Sequence, residues 1–104
     1  SQILGGTVGG LGAALFEEVA TDPGTGRVAN ATFADYVIAT NADVPDIDVT
    51  FVGDPDPCTP AGVKGAGEIA QVGVAPAIAN AVSHALGHRV RSLPIHLEDL
   101  MGDR

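Results

Sequence analysis

From Gln2 to Ala20 the sequence carries a helical stripe, Leu4, Val8, Leu11, Leu15 and Val19, through a segment that also holds Gly5, Gly6, Gly9, Gly10 and Gly12. Each of these glycines costs a helix about 1 kcal/mol relative to Ala. Such a helix persists only where the missing side chains let another backbone, or a ligand, come close. Gln2, Thr7, Glu17 and Glu18 supply the only polar side chains of the segment. Most of the circumference is therefore apolar or glycine, and the pattern predicts a helix buried on nearly all sides.

The rest of the composition narrows the setting of that helix. A chain of 104 residues implies one domain. The apolar share is 45% but only 4% is aromatic, so the expected core is thin and close-packed. Five Lys+Arg against 13 Asp+Glu give a formal charge of −8 with no basic stripe, which excludes nucleic acid and anionic membrane surfaces as natural partners. A single cysteine, Cys58, cannot build a disulfide framework or an all-cysteine metal site. No uninterrupted apolar run reaches the length of a membrane span. Ser1 to Gly5 lacks the basic start of a signal peptide and reads as a cut into something longer. The expected compartment is the cytoplasm, with the periplasm as the alternative.

Along the chain, Thr21 to Gly26 forms a turn by composition. Val28 to Thr40 is rich in β-branched and aromatic residues and reads as a strand. After a turn at 41–46, Ile47, Val49 and Phe51 alternate with Asp46, Asp48 and Thr50, the pattern of a second, half-buried strand pairing antiparallel with the first. Residues 53–67 form a Pro- and Gly-rich loop, and loops of that length inside a small domain are disproportionately functional. Residues 68–73 make a separate turn, 75–86 a helix stopped by Gly87, 90–95 a short strand, and 98–104 a frayed end. The expected class is α+β: two buried Gly/Ala-rich helices on a small, mainly antiparallel sheet.

The most loaded segment is Gly62-Val63-Lys64-Gly65-Ala66-Gly67-Glu68. Its glycines allow the backbone to turn N–H groups into one concavity, Lys64 adds a point charge, and Glu68 offers a carboxylate that a dry pocket could tune into a base. The plainer account of Glu68 is a first-turn acid complementing a helix dipole. The Walker pattern is absent, and Gly65 to Ala70 matches the dinucleotide fingerprint only in relaxed form. His84, His88 and His96 lack metal-ligand spacing and read as surface or packing residues. Cys58 reads as a free thiol, and Asp43, Asp46, Asp48, Asp54 and Asp56 as solvated acids without the spaced loop of a calcium site.

Three blocks add a resemblance. Gln2 to Leu15 (QILGGTVGGLGAAL) resembles the Gln-then-GGxxxGLGxAL helix near the end of the molybdenum subunit in the xanthine dehydrogenase/aldehyde oxidase family. Phe33 to Pro45 is similar to the FADY…T…ADVP stretch of that subunit, and Gly62 to Glu68 to its GxKGxGE signature. The Ala/Asn-rich helix and the RVRSLPI tail follow in the same order, so the likeness runs over nearly the whole chain, closest in pattern to bacterial aldehyde-oxidising members.

The resemblance implies a molybdenum–molybdopterin cofactor, in the cytosine dinucleotide form usual in bacteria, and hydroxylation of aldehydes or N-heterocycles with oxygen from water. Glu68 matches the general base, and Gln2 a glutamine that hydrogen-bonds the cofactor. Lys64, Gly65, Ala66 and Gly67 match the loop packed around the cofactor. 2Fe-2S clusters and FAD are implied on other domains or subunits, which together with the remainder of the molybdenum subunit are the expected partners. Two departures stand out: Gly9 where many relatives have Gln, and a shortened loop from Pro57 to Gly62 carrying Cys58. Residues 1–104 are thus expected to be a C-terminal fragment of the cofactor-binding domain, inactive alone. The alternative is a non-catalytic remnant serving as an interaction or assembly module.

Overall fold

The computed structural model describes residues 1–101, and over these it contains four helices: α1 (Gln2–Leu15), α2 (Ile69–Val72), α3 (Val74–Leu86) and α4 (Leu97–Met101). α1 starts where the apolar segment starts but ends at Leu15, four residues before the stripe's last member, Val19. The amides of Phe16 and Glu17 both donate to the Gly12 carbonyl at 2.8 Å, closing the last turn. The next residues are claimed by Asn30. Its side chain donates to the Glu18 carbonyl at 2.7 Å and accepts from the Ala20 amide at 3.0 Å. A narrow hairpin follows, with a single antiparallel bridge between Thr21 and Val28. Asp22 anchors its tip, accepting from the Gly24 amide at 2.8 Å and the Thr25 hydroxyl at 2.7 Å.

Among the described residues there is no strand and no sheet, which corrects the α+β expectation. The run 28–40 is broken by a turn in which Thr32 and Asp35 bond each other, side chain to side chain at 2.6 Å and backbone to backbone at 3.1 Å. A second turn is closed by Thr40, whose amide and hydroxyl both donate to the Asp43 carboxylate. The alternation survives over 46–50, with Ile47 and Val49 half-buried between exposed Asp46, Asp48 and Thr50, and fails at the exposed Phe51. It produces extended backbone without a partner strand, because pairing is a non-local property that a period-2 pattern does not supply. Residues 90–95 are likewise not a strand, and α4 forms where a frayed end was expected; residues 102–104 of that tail lie outside the described residues.

The helices pack on one another through glycine. An added Cβ on Gly6 would stand 3.0 Å from the Ala70 Cβ, and one on Gly10 only 2.5 Å from the Val74 Cβ. That spacing, one turn apart on α1, matches one turn of the α2–α3 rod, from Ala70 to Val74. Gly73 joins those helices in a right-handed helical conformation, so 69–86 runs nearly continuously until Gly87, at φ 77°, stops it. This 18-residue run is long and apolar enough to cross a membrane by length and composition alone, although Gln71, Asn80, Ser83 and His84 interrupt it.

The buried core is small and sits at the far end of α1. The Ile95 amide donates to the Ala14 carbonyl at 2.7 Å, and Ala14, Val90, Pro94 and Ile95 are the buried residues there. His88 Nε2 lies 2.8 Å from the Asp99 carbonyl and ties α4 back onto this clasp. Beyond that clasp the expected burial fails. α1 buries only Gly10, Gly12 and Ala14, and α3 buries no residue. The radius of gyration is 17.6 Å, against about 13 Å for a compact domain of this length. Phe33, Phe51, Val52 and Val72 are largely in solvent. The apolar faces that the sequence prepares for burial are uncovered within this chain.

Candidate functional site: a glycine-walled cleft

The first turn of α1 and the turn leading into α2 enclose a cleft of about 310 Å³ lined by Ser1, Gln2, Gly5, Gly6, Gly67, Glu68 and Gln71. Helical spacing accounts for the α1 wall, since residues 2, 5 and 6 share one face. Gly6 lets the α2 backbone approach, with the Gln71 amide nitrogen 3.2 Å from where its Cβ would be. A Cβ on Gly5 would meet nothing within 4 Å, so that part of the wall is open space. On the opposite side Gly67 takes φ 48°, a left-handed conformation that glycine adopts without strain. The chain thereby reverses into Glu68, the N-cap of α2 at φ −98° and ψ 14°. The Gln71 amide donates to the Glu68 carbonyl at 3.0 Å, and the Ile69 amide to the Ala66 carbonyl at 3.0 Å, which fixes the turn.

The result is a polar slot: two carboxamides and one carboxylate set among glycine backbone. Glu68 is exposed, and among the described residues its carboxylate carries no hydrogen bond or ion pair. It is an unengaged acceptor facing a space large enough for a ligand group. The structure thus brings Gln2, Gly67 and Glu68 together. Gly65 and Ala66 precede Gly67 in the chain and are not on the lining of the cleft. Lys64 points elsewhere: its ammonium donates to the Asp54 carbonyl at 3.0 Å and fastens the two ends of the loop. Gln71 escaped the sequence reading, although its signal is simple. It is the only polar side chain between Glu68 and Asn80, one helical turn from the carboxylate.

Among the described residues no three His, Cys, Asp or Glu side chains gather closely enough to hold a metal ion. A separate, larger hollow of about 450 Å³ lies against Asn30, Thr32, Phe33 and Tyr36. It is apolar, with two carboxylates bonded to its lining: Asp35 accepts from the Thr32 hydroxyl at 2.6 Å and Glu17 from the Tyr36 hydroxyl at 3.0 Å. That bond holds the tyrosine proton, raising its pKa above the ordinary tyrosine value.

Residues 1–45 match the family model described as a molybdopterin cofactor-binding domain. Over 102 residues the chain is 45% identical to the aldehyde oxidoreductase molybdenum-binding subunit PaoC of Escherichia coli, covering 97% of this chain and 14% of that protein. It is 39% identical over 94 residues to a putative xanthine dehydrogenase molybdenum-binding subunit, XdhA, from the same organism, covering 90% and 12%. The chain belongs to the xanthine dehydrogenase/aldehyde oxidase family. Its backbone matches the crystal structure of quinoline 2-oxidoreductase from Pseudomonas putida at a TM-score of 0.85 and 36% identity, over 96% of this chain and 13% of that one. The chain therefore spans about one-seventh of the length of the first relatives it matches.

The cleft fits a molybdenum cofactor as these residues would meet it. The cleft offers hydrogen-bonding amides and a carboxylate, and among the described residues there is no metal-ligand cluster. A group that brings its own metal ligands and needs only hydrogen-bond partners and close backbone approach suits that donor set.

Proposed function

We propose that this chain is the C-terminal part of a molybdenum-binding subunit, and that its glycine-walled cleft forms one side of the cofactor pocket. The whole subunit oxidises an aldehyde or an N-heterocycle with oxygen from water. The single observation carrying this reading is the meeting of Gln2 and Glu68, from opposite ends of the chain's first two-thirds, across one cleft. When bound, the cofactor supplies the two-electron redox chemistry.

The chain's own residues do the rest. Glu68 acts as general base, its carboxylate oxygen taking the proton of the water-derived nucleophile. With no partner among the described residues, both of its oxygens are available for that transfer. Gln2 orients the cofactor through its carboxamide, and Gly65, Ala66 and Gly67 keep the loop backbone thin enough to lie against it. Lys64 contributes by pinning that loop to Asp54. The uncovered faces of α1 and α3 receive the remainder of the subunit, so residues 1–104 alone are inactive. The cofactor is the cytosine dinucleotide form, and electrons leave through 2Fe-2S clusters and FAD on other domains or subunits.

The test is turnover of an aromatic aldehyde by the complete complex, wild type against Glu68→Gln, with molybdenum assayed in both. Removal of a general base lowers the rate by about 10²–10⁴, with molybdenum retained. An unchanged rate with molybdenum bound would contradict the role of Glu68.

A further inference from the structure

We propose that Gln71 is a cofactor-binding residue, its carboxamide meeting from the α2 wall the same hydrogen-bonding edge that Gln2 meets from the α1 wall. The inference rests on reading the cleft as the cofactor's. Three glycines on one face of α1 close on residue 71. The Gly6 Cβ position lies 3.2 Å from its amide nitrogen and that of Gly10 3.1 Å from its carbonyl oxygen. That of Gly9 lies 3.6 Å from Cδ and 3.7 Å from both Oε1 and Nε2 of the side chain.

The near-equal distances to all three amide atoms mean that the carboxamide lies flat on the helix at Gly9. Its hydrogen-bonding edge therefore points along the helix surface and not into it. Among the described residues neither amide atom bonds to protein. Gln71 is exposed on the cleft lining, and where a methionine would pack on Gly9 equally well the amide keeps a donor and an acceptor open to the cleft. What the amide adds is a donor beside an acceptor in one plane. That pair complements a planar heterocycle edge of the same kind, which the pterin part of the cofactor presents.

The complete molybdenum subunit tests this with Gln71→Met, which keeps the length and the contact with Gly9 and removes the amide. The readouts are molybdenum per subunit after purification, the rate of molybdenum loss on dialysis, and the unfolding midpoint. Loss of one neutral hydrogen bond predicts release about 2- to 10-fold faster at an unchanged midpoint. Release at the wild-type rate overturns the proposal. Should Gln71→Met lower the midpoint, Gln71→Glu keeps the shape and the acceptor but loses the donor, and the same two outcomes decide. Glu68→Gln separates this proposal from the reading beneath it. If that variant turns over normally with cofactor bound, the function fails; if it is inactive while Gln71→Met releases molybdenum at the wild-type rate, only the assignment of Gln71 fails.

Discussion

Gly10→Ala should loosen the contact between α1 and the α2–α3 rod, and Gly9→Ala, its neighbour on the same helix, should not. The two substitutions add the same methyl group and gain the same helix propensity, about 1 kcal/mol. They also restrict the unfolded chain equally. What differs is the space each methyl enters. At Gly9 its nearest neighbours are the flexible Gln71 amide atoms at 3.6–3.7 Å, ordinary contact. At Gly10 it would lie 2.5 Å from the Val74 Cβ and 3.1 Å from the Gln71 carbonyl oxygen, both fixed to helical backbone. Relief requires the helices to move apart by more than 1 Å, or about the shortfall from normal carbon–carbon contact. Overpacking of this kind costs about 1–3 kcal/mol. Hydrogen exchange in the complete subunit reads it directly. Amides of Ala70 to Ala77 should exchange about 5- to 150-fold faster in Gly10→Ala than in Gly9→Ala, the same energy expressed as a local opening constant. Equal protection in the two variants would refute the glycine-contact account of how Gln2 and Glu68 are brought together.

Ile95→Ala should open the clasp at the end of α1, because Ile95 is only 7% exposed and its amide is bonded to Ala14; truncation of a buried isoleucine costs about 2–5 kcal/mol, read as faster exchange across 88–99. Asp22→Asn should release the hairpin tip. The Thr25 hydroxyl and then the Gly24 amide hold the Asp22 pKa below the ordinary carboxylate value. The ionised carboxylate therefore stabilises the folded turn, fully above that ordinary value, and the contribution fades as pH falls through the lowered pKa. A pH titration of the Gly24 amide resonance should show that loss in wild type and none in the variant.

The helices were legible because their signals are local. The stripe from Leu4, the first-turn Pro76 and the stop at Gly87 place α1 and α3 to within a residue at three of four ends. The fourth end, at Leu15, is set by Asn30, a side chain ten and more residues away that the stripe through Val19 does not reveal. Strands were not legible for a related reason. Ile47 and Val49 alternate correctly, but a sheet needs a second strand, and Thr32–Asp35 and Thr40–Asp43 fold the neighbouring run into side-chain-capped turns. The expected burial is not met within the chain, because an apolar, glycine-rich face states that a helix needs a cover and not what supplies it. At the site, Glu68 and Gln2 stood out by motif. The bond from Lys64 to the Asp54 carbonyl was not legible, because a loop's closure partners are invisible to spacing.

The most direct test is a structure of the complete molybdenum subunit with its cofactor bound. The account predicts the cofactor against the cleft between α1 and α2, with the Gln2 carboxamide in hydrogen-bond contact with it and the Glu68 carboxylate facing its metal. A cofactor seated elsewhere, with Gln2 and Glu68 covered by another part of the protein, would contradict it.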